Sequence, residues 1–230
     1  MPDLRLHPAR ESAARERAPV QGLWARPVGA RAVVLFVHPL RAECMQAGQR
    51  FIADVLAANG LATLSIGLSS PEGHPSGQAL PDAWQTAEFL RQVVDVLESD
   101  AALRGLPLAL VGVHEAAAVC DAALGHAGLT AVKSCVWLDG PVDHREPSVA
   151  TWSLPTLCLT GRHGSGAVAQ PWRGVRRLPA PHRLVKLQQR SRPEPSAGVH
   201  QAMACELLAW LARTLPIAAE ADARRASGTA

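Results

Sequence analysis

Three histidines stand at or within three residues of the ends of short apolar runs, at His38, His114 and His163, and an aspartate, Asp139, follows another. Four such side chains on one rim would offer neutral imidazoles and a carboxylate, a donor set suited to zinc or nickel. Convergence from separate loops would leave no local spacing motif, so the plainer reading is kept beside it. In that reading the imidazoles are structural and hold no metal. No metal and no organic cofactor is therefore expected, and the chain has no phosphate-cradling P-loop. The five cysteines (Cys44, Cys120, Cys135, Cys158, Cys205) are widely spaced and contain no CxxC pair, which argues against zinc ribbons and thioredoxin-type chemistry.

A second chemical feature is charge. Between Trp172 and Pro193 lie seven basic residues (Arg173, Arg176, Arg177, Arg183, Lys186, Arg190, Arg192) and no acid. The remainder holds sixteen basic against twenty acidic residues, so a net charge of +3 conceals an acidic body and a basic segment. Such a segment suits an anion or an acidic protein partner; as a solvated strand edge it would also discourage sheet-to-sheet aggregation. With six Trp, three Phe and no Tyr, stacking platforms for bases are few, and nucleic acid is not the expected partner.

The elements that must position these residues follow from hydropathy. At 230 residues, 48% hydrophobic and 19% charged, the chain is long and apolar enough for one substantial core. No apolar run reaches the eighteen or so residues of a membrane span, and the charged opening residues show no apolar signal core. A reduced, cytoplasmic protein is expected. Arginine outnumbers lysine 21 to 2 amid abundant alanine, a coding bias of GC-rich bacterial genomes.

Strands are predicted at 31–37, 61–66, 107–113, 132–138, 155–160 and 183–188. Most are continuously apolar, as in strands covered on both faces. Val20 to Trp24 is expected as an antiparallel edge. Helical stripes occur at Phe51, Ile52, Val55 and Leu56, ending at Asn59-Gly60, and at Ala87, Leu90, Val94 and Leu97. A last helix runs from about Val199 to Leu215, with Met203, Leu207 and Leu211 on one side. The alternation predicts one α/β domain over 1–217, a three-layer sandwich with a mostly parallel, doubly wound sheet. An irregular N-terminus over 1–18 and a disordered tail over 218–230 complete the expectation.

The order of VVLFVH, NGLATLSIGLSSPEG, GLPLALVGVHEAAAV and PTLCLTGRHG resembles the α/β-hydrolases, and within them the dienelactone-hydrolase-like group. The resemblance spans roughly Arg31 to Leu215 and implies hydrolysis of an ester or lactone by a nucleophile raised on a tight strand-to-helix turn. That turn, G-x-S-x-G, corresponds to Gly112-Val113-His114-Glu115-Ala116. The small flanking residues are kept, but His114 replaces the serine or cysteine. Histidine tolerates a left-handed backbone, yet an imidazole cannot become the alkoxide or thiolate of ordinary acyl transfer.

The other implied positions depart as well. His163 stands at the acid position, and the base position falls on Ser191 or Arg192. The nearest later histidine, His200, lies within the final helix. His38-Pro39 replaces a His-Gly pair, and a proline offers no N–H to an oxyanion. The amide of Glu115 is the remaining candidate donor there, and Asp139 an alternative acid. Ser165 is a serine in a plausible loop but off the turn. The resemblance thus implies a catalytically degenerate hydrolase, a monomer or homodimer, binding a small ligand in the vestigial cleft or a protein partner. The alternative is an active ester or lactone hydrolase that uses non-standard residues.

Overall fold

The computed structural model describes residues 4–6, 20–39, 47–68, 80–140, 153–160, 180–187 and 197–216. Eight strands form one sheet: β1 (Leu4–Leu6), β2 (Val20–Ala25), β3 (Ala32–Pro39), β4 (Leu61–Leu68), β5 (Leu108–Val113), β6 (Val132–Leu138), β7 (Thr156–Thr160) and β8 (His182–Lys186). Their spatial order is β1-β2-β4-β3-β5-β6-β7-β8. Pairing is parallel from β4 to β8, whereas β2 runs antiparallel to both β1 and β4.

The described helices are α1 (Ala47–Ala58), α2 (Ala83–Ser99), α3 (Ala116–Ala127) and α4 (Ala197–Thr214). They form the two outer layers. Val33, Leu35, Leu64, Leu110 and Trp137 point toward α2 and α3, where they meet Leu90, Val93 and Cys120. Their alternates Val34, Phe36, Val111, Val136 and Leu157 point toward α1 and α4, onto Ile52, Leu56, Leu207 and Leu211. Each fully buried leucine contributes roughly 1.5–3 kcal/mol relative to exposure. Every residue of β5 and β7 is buried, as expected for strands covered on both faces.

Local chemistry sets the ends of the helices. Asp82 caps α2 by accepting from the Gln85 amide at 2.7 Å, and the Gln85 Oε1 in turn accepts from the Asp82 amide at 3.3 Å. After α1, Gly60 takes the predicted left-handed conformation at φ 77°. Between layers, the buried Ser134 hydroxyl of β6 accepts from the Trp210 indole N–H of α4 at 2.9 Å.

Three expectations change. Val20–Ala25 is not the sheet edge, because Leu4–Leu6, within the stretch expected to be irregular, pairs outside it. Phe51 does not join the buried stripe of α1, since only one side of the helix faces the sheet and Ile52, Ala53 and Leu56 fill it. On α2, Val93 rather than Val94 is fully buried. The tail over 218–230 lies outside the described residues.

Candidate functional site

Strand order reverses direction at β3, which lies between β4 and β5. In open α/β sheets this reversal opens a crevice beyond the carboxyl ends of the strands. His38, near the end of β3, and His114, directly after β5, stand there together.

His114 has a left-handed backbone, φ 52°. Its amide donates to the Leu138 carbonyl at 2.8 Å, and its own carbonyl accepts from Ala117 at 3.1 Å. Glu115 then enters helical geometry and α3 begins at Ala116. The turn is packed to its limit. A Cβ on Gly112 would lie 2.6 Å from the Ala117 Cα and 3.0 Å from the Trp137 ring. A Cβ on Gly140 would lie 2.6 Å from the His114 carbonyl oxygen and 2.5 Å from the Ala117 Cβ. Both glycines are therefore needed for close approach. The His114 Nδ1 is buried and has no hydrogen-bond partner among the described residues.

His38 is 6% exposed, and its Nδ1–H donates to the Pro39 carbonyl at 3.3 Å. Burial pushes its pKa below the ordinary histidine value; the Pro39 bond opposes this, and the nearby His114 imidazole adds to the lowering. The lowered pKa favours a neutral ring with its lone pair on Nε2.

On the next strand, Asp139 is also left-handed at φ 49°, a conformation that aspartate tolerates better than most residues. Its amide donates to the Leu159 carbonyl at 3.0 Å, and its Oδ1 accepts from the Thr160 hydroxyl at 2.9 Å. Sequence reasoning found Asp139 but missed Thr160 and the close fit of Gly140. The Asp139-Gly140 dipeptide after a buried strand was the available signal.

His38, His114 and Asp139 thus lie at the ends of β3, β5 and β6, with Thr160 closing β7. His163, Ser165, Ser191 and Arg192 lie outside the described residues, as do Arg173, Arg176, Arg177 and Arg190. Among the described residues, no three His, Cys, Asp or Glu side chains converge as metal ligands. His200 falls in the first turn of α4, and its ring lies against Gly48 of α1.

Of the basic segment, Arg183 and Lys186 are described, both on β8. Arg183 pairs with Glu206 of α4 at 2.9 Å, and Lys186 is exposed. Cys120, Cys135 and Cys158 are buried thiols whose pKa is raised, first by burial and then by nearby Asp121, so none is a poised thiolate. Chemically, the elbow presents an imidazole able to exchange a proton or a hydrogen bond, where acyl transfer needs an oxygen or sulfur nucleophile.

No protein-family model matches the sequence, and no curated protein matches it. Solved structures do. A dienelactone hydrolase from Anabaena variabilis is similar at 22% identity and TM-score 0.71, covering 93% of this chain and 98% of that one. An α/β serine hydrolase without a lid from Xanthomonas campestris matches at 17% identity and TM-score 0.62, over 86% and 90% of the two chains. A soluble variant of monoglyceride lipase from Saccharomyces cerevisiae matches at 12% identity and TM-score 0.63, over 91% and 96%. At these identities the likeness establishes architecture alone: the chain has the α/β-hydrolase fold. No described helix is long and apolar enough to cross a membrane.

Proposed function

We propose that this α/β-hydrolase-fold chain is a catalytically degenerate member of its fold, which binds a small ligand at the elbow without forming an acyl-enzyme. One observation carries the reading. The backbone strain and close packing that a nucleophile elbow requires are present, with φ 52° at position 114, yet the side chain held there is an imidazole. Left-handed conformations of non-glycine residues persist where the surroundings impose them, and they cluster at binding and active sites. Here Gly112, Ala117 and Gly140 impose this one. Pro39 removes a neighbouring amide donor, which further weakens any oxyanion site.

The second reading, an active ester or lactone hydrolase, draws on Asp139, held at the rim by Thr160, and on the similarity in fold to a dienelactone hydrolase and a monoglyceride lipase. In that case His114 serves as a general base toward water, with Asp139 as an acid partner.

Hydrolysis of p-nitrophenyl acetate and dihydrocoumarin by the wild type and His114→Ala separates the two. The degenerate reading expects buffer-level rates from both proteins. His114→Ser, restoring one member of a unit that works only as a whole, is expected to gain less than about tenfold. Turnover well above background that disappears in His114→Ala would overturn the proposal. Thermal shifts with short esters and carboxylic acids then read ligand binding directly, since a saturating ligand at a hundred times its Kd adds about 2.7 kcal/mol.

A further inference from the structure

We propose that His38 and His114 together bind a small carboxylic acid, which enters with one proton shared between its carboxyl group and the two imidazoles. The inference deepens the reading above and rests on it, because it takes the elbow as a binding site. Parallel pairing sets the two residues side by side. Val37 of β3 lies opposite Gly112 of β5, so His38 and His114 stand one and two residues beyond the same rung, on strands about 4.8 Å apart. The rings are near enough for His114 to disfavour a proton on His38. His38 is buried and its Nδ1–H donates to the Pro39 carbonyl, which leaves the Nε2 lone pair as an acceptor. His114 is half-buried, so part of its ring stays accessible, while its buried Nδ1 has no partner among the described residues. A buried ring nitrogen without a partner is unfavourable, and a ligand that supplies one removes the penalty.

Hydrogen-bond chemistry selects the ligand. A carboxylic acid carries a hydroxyl donor and a carbonyl acceptor on neighbouring oxygens. The pair offers the complement: an acceptor at Nε2 of His38 and, in the tautomer with its hydrogen on Nδ1, a donor at His114. An ester has no donor for His38. An ammonium group meets the start of α3, which has no side-chain cap and presents the positive end of the helix.

Charge then requires the proton. A carboxylate cannot be buried beside His38 without a compensating charge. The described carboxylates at the rim are Glu115 and Asp139, and β4 ends on Gly67-Leu68, without a charge. On the opposite layer Arg50 is exposed in the first turn of α1, and the His200 ring lies against Gly48; Lys186 is three strands from β5. None of these cations bears on His38, whose charged neighbour among the described residues is His114. The compensating proton therefore comes from solution with the ligand, and the imidazoles receive it.

Calorimetry of sodium phenylacetate binding to the full chain, in HEPES and in Tris, reads that proton through the different ionisation enthalpies of the two buffers. Uptake of about one proton per ligand is expected, with Kd rising about tenfold from pH 7 to pH 8. Methyl phenylacetate and phenethylamine should bind about tenfold more weakly or worse. His38→Gln and His114→Asn, the second chosen because asparagine tolerates a left-handed backbone, should each weaken phenylacetate binding by about tenfold. Arg50→Gln should change neither affinity nor uptake. The inference is overturned by absent phenylacetate binding, by binding without proton uptake, by loss of binding in Arg50→Gln, or by equal affinity for the ester or the amine. Methyl phenylacetate bound intact in preference to phenylacetate sinks this inference alone and leaves the degenerate reading standing. Its hydrolysis by the wild type, lost in His114→Ala, sinks both.

Discussion

The corner joining β5 to α3 and the outermost described strand on the other side of the sheet, β8, obey opposite rules. At the corner, all six residues of β5 are buried, and the turn that follows is locked between Gly112, Ala117 and Gly140. Neither Gly112 nor Gly140 has room for a Cβ, whereas position 114 carries a large side chain. At β8 the five residues alternate exposed and half-buried, and backbone groups on one side have no described partner. There the backbone is ordinary extended chain, and Arg183 is tied to Glu206 of α4. Packing and chemistry are thus separable at this turn: the flanking glycines are held by close approach, and the side chain at position 114 is not.

The largest effect that would break this comparison comes from a single methyl group. Gly112→Ala places a Cβ against the Ala117 backbone and should cost about 3 kcal/mol in urea unfolding. Leu184→Ala on β8 should stay within about 0.5 kcal/mol. Equal costs would mean that the corner is not interlocked.

A smaller difference tests the backbone strain itself. His114→Gly and His114→Ala both remove the imidazole, but only glycine accepts a left-handed backbone freely, so the glycine variant should be more stable by about 1 kcal/mol. At Leu184 the same pair should reverse sign, because glycine weakens an extended strand. Urea midpoints of the four variants measure both differences.

The smallest effect is pH dependence. The His38 pKa is lowered in the folded state from 6.5, so below that pH the unfolded chain binds a proton that the folded chain refuses. Stability should therefore fall as pH drops through about 6.5 toward the folded value and be insensitive to His38 above it. In His38→Gln that part of the acid slope should vanish, as read from thermal midpoints between pH 7.5 and pH 5. An unchanged slope would show that His38 is not held neutral by its burial.

Much of this was legible before any coordinates. Val132 to Leu138 is predicted and found as a strand with the same limits, because seven mostly apolar residues between turn signals have few other uses in a buried sheet. The Gly-x-His-x-Ala string identified the elbow, since small residues at those spacings reflect a steric demand. Leu4–Leu6 was missed because three residues carry no measurable period, and their pairing with Val20–Ala25 supplies what local pattern lacks. Phe51 was placed on the buried face because hydrophobicity cannot tell which edge of an apolar stripe a neighbouring layer covers.

By itself, the amino-acid order determined the class of architecture, the continuous burial of the central strands, and the presence of an imidazole on the tight turn after β5. These depend on residue type and on spacings of two or nearly four, which are local quantities. Only the tertiary structure decided that Asp139 turns left-handed against Thr160, that Gly140 closes on the His114 carbonyl, and that His38 is held below its usual basicity beside a second imidazole. Each of these is a meeting of strands distant in sequence, where close approach and burial, rather than composition, set the chemistry.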